Sequence, residues 1–192
     1  MRHVSDRFVV VLDANVLYPF RKRDLLLTFA EAGLYRGRWS RIILQEWRGS
    51  LLATKPQLSE SVDAQIDAMA RAFPEALVEG FDDLIDAIQL PDEDDRHVVA
   101  AAIVADAEHI VTENLKDFPA DSIARYGIEA VAADDFLAGT FELYPSDATA
   151  SLRRMREGYE NPPMTPNEFV FDLQSKGMPK LASLAKAHFE LI

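Results

Sequence analysis

The sequence predicts an α/β fold built on a central parallel sheet, and three observations carry that prediction. The run Phe8-Val-Val-Val-Leu12 is continuously apolar, as a strand buried on both faces requires. Further short apolar runs over 76–81, 109–112 and 129–132 are separated by helical patterns rather than hairpin turns, which gives βαβ units. Acidic residues fall where strands end or helices begin, the edge at which parallel sheets hold ligands.

The elements follow in order. A helix is expected over 24–35, where Leu26, Leu27, Ala30 and Leu34 recur at helical spacing and Gly33 and Gly37 mark the exit. Ser40 is placed to cap a helix over 41–53, with Pro56 beyond it. Residues 59–73 read as an amphipathic helix with Val62, Ile66, Met69 and Phe73 on one stripe. After the short strand 76–81, Pro91-Asp92-Glu93 signals a helix start, and the helix is expected over about 94–105. Strands 109–112 and 129–132 come next, and Asp134 is placed to cap a helix ending near Leu143. Tyr144-Pro-Ser-Asp147 breaks the alternation. The rest reads as helical, over 148–159, 167–176 and 179–191, with the Pro-rich linker Asn161-Pro-Pro-Met-Thr-Pro166 between the first two. The expected division is therefore an α/β domain over 1–143 and a helical extension over 144–192.

Composition narrows the class. With 192 residues, 48% hydrophobic and 27% charged, the chain is long and apolar enough to fold around a core. Having no cysteine, it forms no disulfide and no Cys-ligated zinc site. No apolar stretch approaches the roughly 20 residues of a membrane span. Met1-Arg-His-Val-Ser-Asp6 runs straight into the first strand, with no room for a signal peptide, so a cytoplasmic location is expected. The net charge of −12 argues against a nucleic-acid partner. Two features offset it: bound divalent metal neutralises acids, and the basic residues cluster, as in Arg21-Lys-Arg23, Arg36-Gly-Arg38, Arg41, Arg48 and Arg153-Arg-Met-Arg156. Such clusters are either local positive patches or solvated helix ends.

Four acids stand out. Asp13 ends the first strand, with Asn15 two residues on to orient it or a water; an ordinary Asx turn is the alternative. Glu46 lies among Ile43, Leu44 and Trp47, as a surface residue beside an apolar stripe or as a buried ligand. Asp92, Asp94 and Asp95 precede a helix, where acids favour the dipole, but with Glu93 they exceed what capping needs. Asp95, Val98, Val99 and Ala102 share one helical face, so Asp95 is the member expected to point inward. Asp117 follows the strand over 109–112. Carboxylates gathered from separate element ends form a hard-oxygen site for Mg²⁺ or Mn²⁺, which points to phosphodiester hydrolysis. His97 and His109 lack a zinc spacing and read as structural or surface residues.

In this order and spacing, Val11-Leu-Asp-Ala-Asn15, Gln45-Glu46, Asp92-Glu-Asp-Asp-Arg-His-Val-Val-Ala-Ala-Ala102 and Ile110-Val-Thr-Glu-Asn-Leu-Lys-Asp-Phe118 resemble the PIN-domain family, and within it the VapC-type toxin ribonucleases. The resemblance covers about residues 8–140. It implies a PIN-like three-layer α/β/α fold with a central parallel sheet, and a metal-dependent endoribonuclease using metal-activated water. Asp13, Glu46 and Asp95 match the first three acids of the family pattern. The fourth position falls on Asn114 or on Asp117. Thr112 matches a hydroxyl that supports the attacking water, and Asp92 is a supporting or second-metal acid. The implied cofactor is Mg²⁺ or Mn²⁺, and the implied partners are RNA, a cognate antitoxin and a second copy of the chain.

The C-terminal stripe of Phe169, Phe171, Leu173, Leu181, Leu184 and Phe189 is expected to pack on the domain or close a dimer, with antitoxin docking as the lesser alternative. Three rival classes compete. A response-regulator receiver needs an acid pair before its phosphorylated Asp and a later Lys after a strand, whereas here the Asp92–Asp95 cluster comes after a helix-rich stretch. A haloacid-dehalogenase-type phosphatase needs an acid two residues after Asp13, where this chain has Asn15. A non-catalytic PIN-like interaction module has no need of the first three acids.

Overall fold

In a computed structural model describing residues 8–192, β1 (Val9–Leu12) leads through Asp13 into the one-turn helix α1 (Ala14–Leu17). Then come α2 (Phe20–Glu31), β2 (Arg36–Ser40) and α3 (Arg41–Thr54). They are followed by α4 (Ser59–Ala72), β3 (Leu77–Val78), the one-turn α5 (Asp82–Ile85) and α6 (Arg96–Val104). The order continues with β4 (His109–Val111), the short α7 (Ala120–Ile123) and β5 (Glu129–Val131). The chain ends in α8 (Ala133–Leu143), α9 (Pro145–Glu157), α10 (Pro166–Ser175) and α11 (Pro179–Ala187). The segment Met1–Asp6, expected to lead straight into the first strand, lies outside the described residues.

The five strands form one parallel sheet in the order β3-β2-β1-β4-β5. With its helices and the C-terminal helices, this is the expected three-layer α/β/α class. All four residues of β1 are buried, which its central position demands. From β1 the order runs one way to β2 and β3 and the other way to β4 and β5. The strand order therefore reverses between β1 and β4, and the carboxyl ends at such a reversal are where open parallel sheets hold ligands. The register pairs Leu12 with Val111, so Asp13 and Thr112 emerge side by side at that edge.

β2 was not anticipated. Arg36-Gly-Arg-Trp-Ser40 carries a glycine and two arginines and has no strand signature. Its pairing with β1 and the burial of Gly37, Trp39 and Ser40 make it a strand. The helix expected over 24–35 starts earlier, at Phe20, and stops before Gly33. That glycine adopts a left-handed φ of 67° while Leu34 N–H bonds back to Phe29 O at 3.0 Å. Ser40 caps α3 as expected, its Oγ accepting from Ile43 N at 3.2 Å. The strand over 76–81 shrinks to two residues, and the helix expected from 94 begins at Arg96. The helix expected over 148–159 begins at Pro145, a residue pre-shaped for a first turn.

Asp134 does not cap its own helix. The cap of α8 is Ala132, with no side-chain bond. The Asp134 carboxylate instead accepts from Lys180 N at 2.9 Å and Leu181 N at 3.0 Å, satisfying the first turn of α11. In the C-terminal stripe, Phe169, Leu173 and Leu181 are buried, but Phe171 is 72% exposed. The arginine clusters are partly spent in ion pairs: Arg41 with Glu79, Arg48 with Asp63, Arg153 with Glu157 and Arg21 with Asp172. The local positive charge they offer is correspondingly lower than their number suggests.

Two compact units are present. One comprises the residues up to Pro19 with Tyr35–Val131, and so holds the whole sheet. The other joins Phe20–Leu34 to Ala132–Ile192. Within it α2 meets the C-terminal helices through the Arg21–Asp172 pair, and the Arg21 guanidinium lies 4.3 Å from the centre of the Tyr159 ring. The boundary expected at 143/144 falls inside this second unit. No helix among the described residues is long and apolar enough to cross a membrane.

Candidate functional site

Asp13 is 4% exposed, and both its oxygens are committed. Oδ1 accepts from Ala14 N at 2.6 Å; Oδ2 accepts from Asn15 Nδ2 at 2.6 Å and from Thr112 Oγ1 at 2.7 Å. Burial raises its pKa above the ordinary carboxylate value, and Glu46 adds to the rise. The bonds from Thr112 and Ala14, and the nearby His97, oppose it.

Asn15 Nδ2 is hydrogen-bonded to the Asp13 carboxylate. Besides Asp13 it reaches Thr112 Oγ1 at 2.8 Å, and its own Oδ1 accepts from Glu113 N at 3.0 Å. The Thr112 hydroxyl proton goes to Asp13, while its oxygen accepts from Asn15 and from Asn114 N at 3.1 Å. At 0% exposed, its hydroxyl is fully bonded within the protein.

Asp95 stands at the cap position of α6 but makes no capping bond. Its pKa is pushed up to about 6, first by burial and then by the charges of Asp13, Asp92, Asp117 and Glu46. One carboxyl group thus feels Asp13, Glu46, Asp92 and Asp117, so acids from four places in the chain converge around it. Asp92, Asp95 and Asp117 are the tightest group, each with an oxygen within 4.8 Å of the others. Asp92 is exposed, and its Oδ1 also accepts from Asp94 N at 3.0 Å.

The alternatives at the fourth position turn out to be connected. Asn114 Nδ2 donates to Asp117 Oδ2 across a single 3₁₀ turn, Leu115–Asp117. The carboxylate belongs to the cluster, and the amide fastens it. Glu46 lies on α3, its side chain 40% exposed, and its Oε1 accepts from His97 Nε2 at 2.8 Å. His97 is the polar neighbour that the sequence reading treated as merely structural or surface. Its one signal was its place two residues after Asp95, just before the apolar run Val98-Val-Ala-Ala-Ala102. His109 is half-buried, its ring edge-on to Phe8.

Chemically, the site offers carboxylate oxygens and no soft donor. Such a set suits hard divalent cations of the Mg²⁺ or Mn²⁺ type, and the repulsion recorded at Asp95 is what a cation relieves.

Comparison with known proteins gives two family matches. The PIN domain model matches residues 9–116, and the model of the VapC50 C-terminal domain matches residues 133–187. A protein of Mycobacterium tuberculosis (strain ATCC 25618 / H37Rv) named "Putative ribonuclease VapC50" is 36% identical over 134 residues, 70% of this chain and 78% of that protein. No solved structure matches the chain significantly.

Proposed function

Because the chain belongs to the PIN-domain family, we propose that it is a metal-dependent endoribonuclease that hydrolyses RNA phosphodiester bonds and serves as the toxin of a toxin–antitoxin pair. The observation that carries the reading is the convergence on Asp95 of acids from β1's end, α3, α6's start and the turn after β4. The name of the mycobacterial relative supports the ribonuclease part, and the toxin part rests on the resemblance to VapC-type toxins that both matches share. A cytoplasmic location, an RNA substrate, a cognate antitoxin and a homodimer belong to the same proposal. So does the assignment of the chemistry to residues 1–143, with 144–192 as the helical extension.

In this reading Asp13, Glu46, Asp95 and Asp117 hold the cation, with Asp92 beside them. When bound, the divalent ion supplies Lewis-acid activation of the attacking water and neutralises charge on the phosphate. The protein's contribution is preorganisation. Asn15 and Thr112 lock Asp13 in one rotamer, and Asn114 fixes Asp117. Hydrogen-bonded outer partners of this kind typically carry 10–100-fold in metal affinity or activity. The carboxylate cluster also sets the order of events, because a polyanion approaches it only once its charge is offset.

The test is cleavage of end-labelled structured RNAs by purified protein with Mn²⁺, Mg²⁺ or EDTA, beside Asp13→Asn and Asp95→Asn. Discrete cuts are expected with metal and none with EDTA. Each variant, folded by circular dichroism, is expected to lose about 100-fold or more. Folded variants that cut like the wild type would sink the assignment.

A further inference from the structure

We propose that His97 is a positioning residue for Glu46, its Nε2–H fixing one oxygen of that carboxylate so that the glutamate is set for a divalent cation before the cation arrives. The inference rests on the metal-site reading above and deepens it.

Three features of the geometry carry it. His97 Nε2 lies 2.8 Å from Glu46 Oε1, and a carboxylate only accepts, so the imidazole is the donor. The ring is nearly sealed, its side chain 7% exposed against 40% for Glu46, so the buried partner anchors the more exposed one. The other ring nitrogen, Nδ1, is buried with no hydrogen-bond partner among the described residues. Leaving it so carries a desolvation cost that an apolar residue of the same shape avoids. A histidine kept only for packing gains nothing from that arrangement. Among the described residues its one hydrogen bond is to Glu46.

The placement gives the bond a purpose. His97 lies in the first turn of α6, two residues after Asp95, while Glu46 sits on α3. The bond therefore ties the carboxylate of one helix to the turn that presents Asp95. Glu46 is within electrostatic reach of both Asp13 and Asp95. A long, half-exposed glutamate surrounded by like charges otherwise turns away into water, and the histidine opposes that turn.

The test is calorimetric titration of RNA-free protein with Mn²⁺. Glutamine places its amide nitrogen near the reach of ring Nε2, and asparagine near that of Nδ1. His97→Gln is expected to bind Mn²⁺ within about threefold of wild type, and His97→Asn about tenfold or more weakly, the range for an outer partner of a metal ligand. In a Glu46→Ala background the two are expected to bind alike. His97→Phe fills the ring's space without a donor and is expected to match His97→Asn, which keeps the test valid should the asparagine variant not fold. Equal binding by wild type, Gln and Phe variants overturns the positioning role while leaving the metal site standing. A difference between Gln and Asn that survives in Glu46→Ala overturns it too. Wild type that takes up no Mn²⁺ overturns this inference and the metal-site reading together.

Discussion

At Asp95, burial and four neighbouring acids raise the carboxyl to about 6, against an ordinary 3.8. The sign follows from linkage. Between those values the folded, metal-free protein holds a proton that the unfolded chain releases. Its stability therefore falls as pH rises from about 4 through 6. Asp95→Asn removes the penalty. In EDTA at pH 7.5 its melting temperature is expected to exceed that of wild type, with the gap closing by pH 4; a variant that melts lower at pH 7.5 contradicts the repulsion. Activity should move the other way, so one substitution separates what the site costs the fold from what it contributes to chemistry.

The residues themselves were unevenly legible. Asp13 and Asn15 could be read because a strand end two residues long states its own geometry. The bonding of Thr112 was not legible, since its hydroxyl donates to Asp13 and accepts from Asn15 and Asn114, residues distant from or turned back on it. His97 was passed over because its partner is 51 residues away.

Among the elements, α3 and α11 show two ways of satisfying a helix start. Ser40 caps α3 from its own chain neighbourhood, so a local pattern was enough to find it. The first turn of α11 borrows Asp134, 46 and 47 residues away, and no local pattern announces that. Asp134→Ala leaves two amide donors without their acceptor. It is expected to destabilise the protein by about 1 kcal/mol, read by urea denaturation, while leaving Mn²⁺ binding unchanged. No loss of stability would mean that water caps α11 equally well. β2 failed as a sequence reading for a related reason. Arg36-Gly-Arg-Trp-Ser40 has weak intrinsic strand preference, and pairing with β1 overrides it.

For the molecule as a whole, the charge of −12 and the acid cluster predict that a bound cation is also a stabiliser. A ligand present at about 100 times its Kd adds roughly 2.7 kcal/mol to a protein that binds it only when folded. For a chain of this size that corresponds to a rise of roughly 5–10 °C in Tm. Mn²⁺ is expected to raise Tm in wild type and not in Asp13→Asn. An equal rise in both would place the ion elsewhere. The two compact units also group residues that are not contiguous in sequence. The linear reading divided the chain at 143, whereas α2 joins the C-terminal helices although the sheet-bearing unit surrounds it in sequence.

The sequence by itself determined the parallel α/β class, the central strand, the cap at Ser40 and the set of acids, because periodicity, turn chemistry and motif order are properties of neighbouring residues. Only the tertiary structure decided which of those acids meet, that Asn114 serves Asp117 and that His97 holds Glu46. The physical reason is distance along the chain. Asp13 and Thr112 are 99 residues apart and are brought within 2.7 Å only by the pairing of β1 with β4.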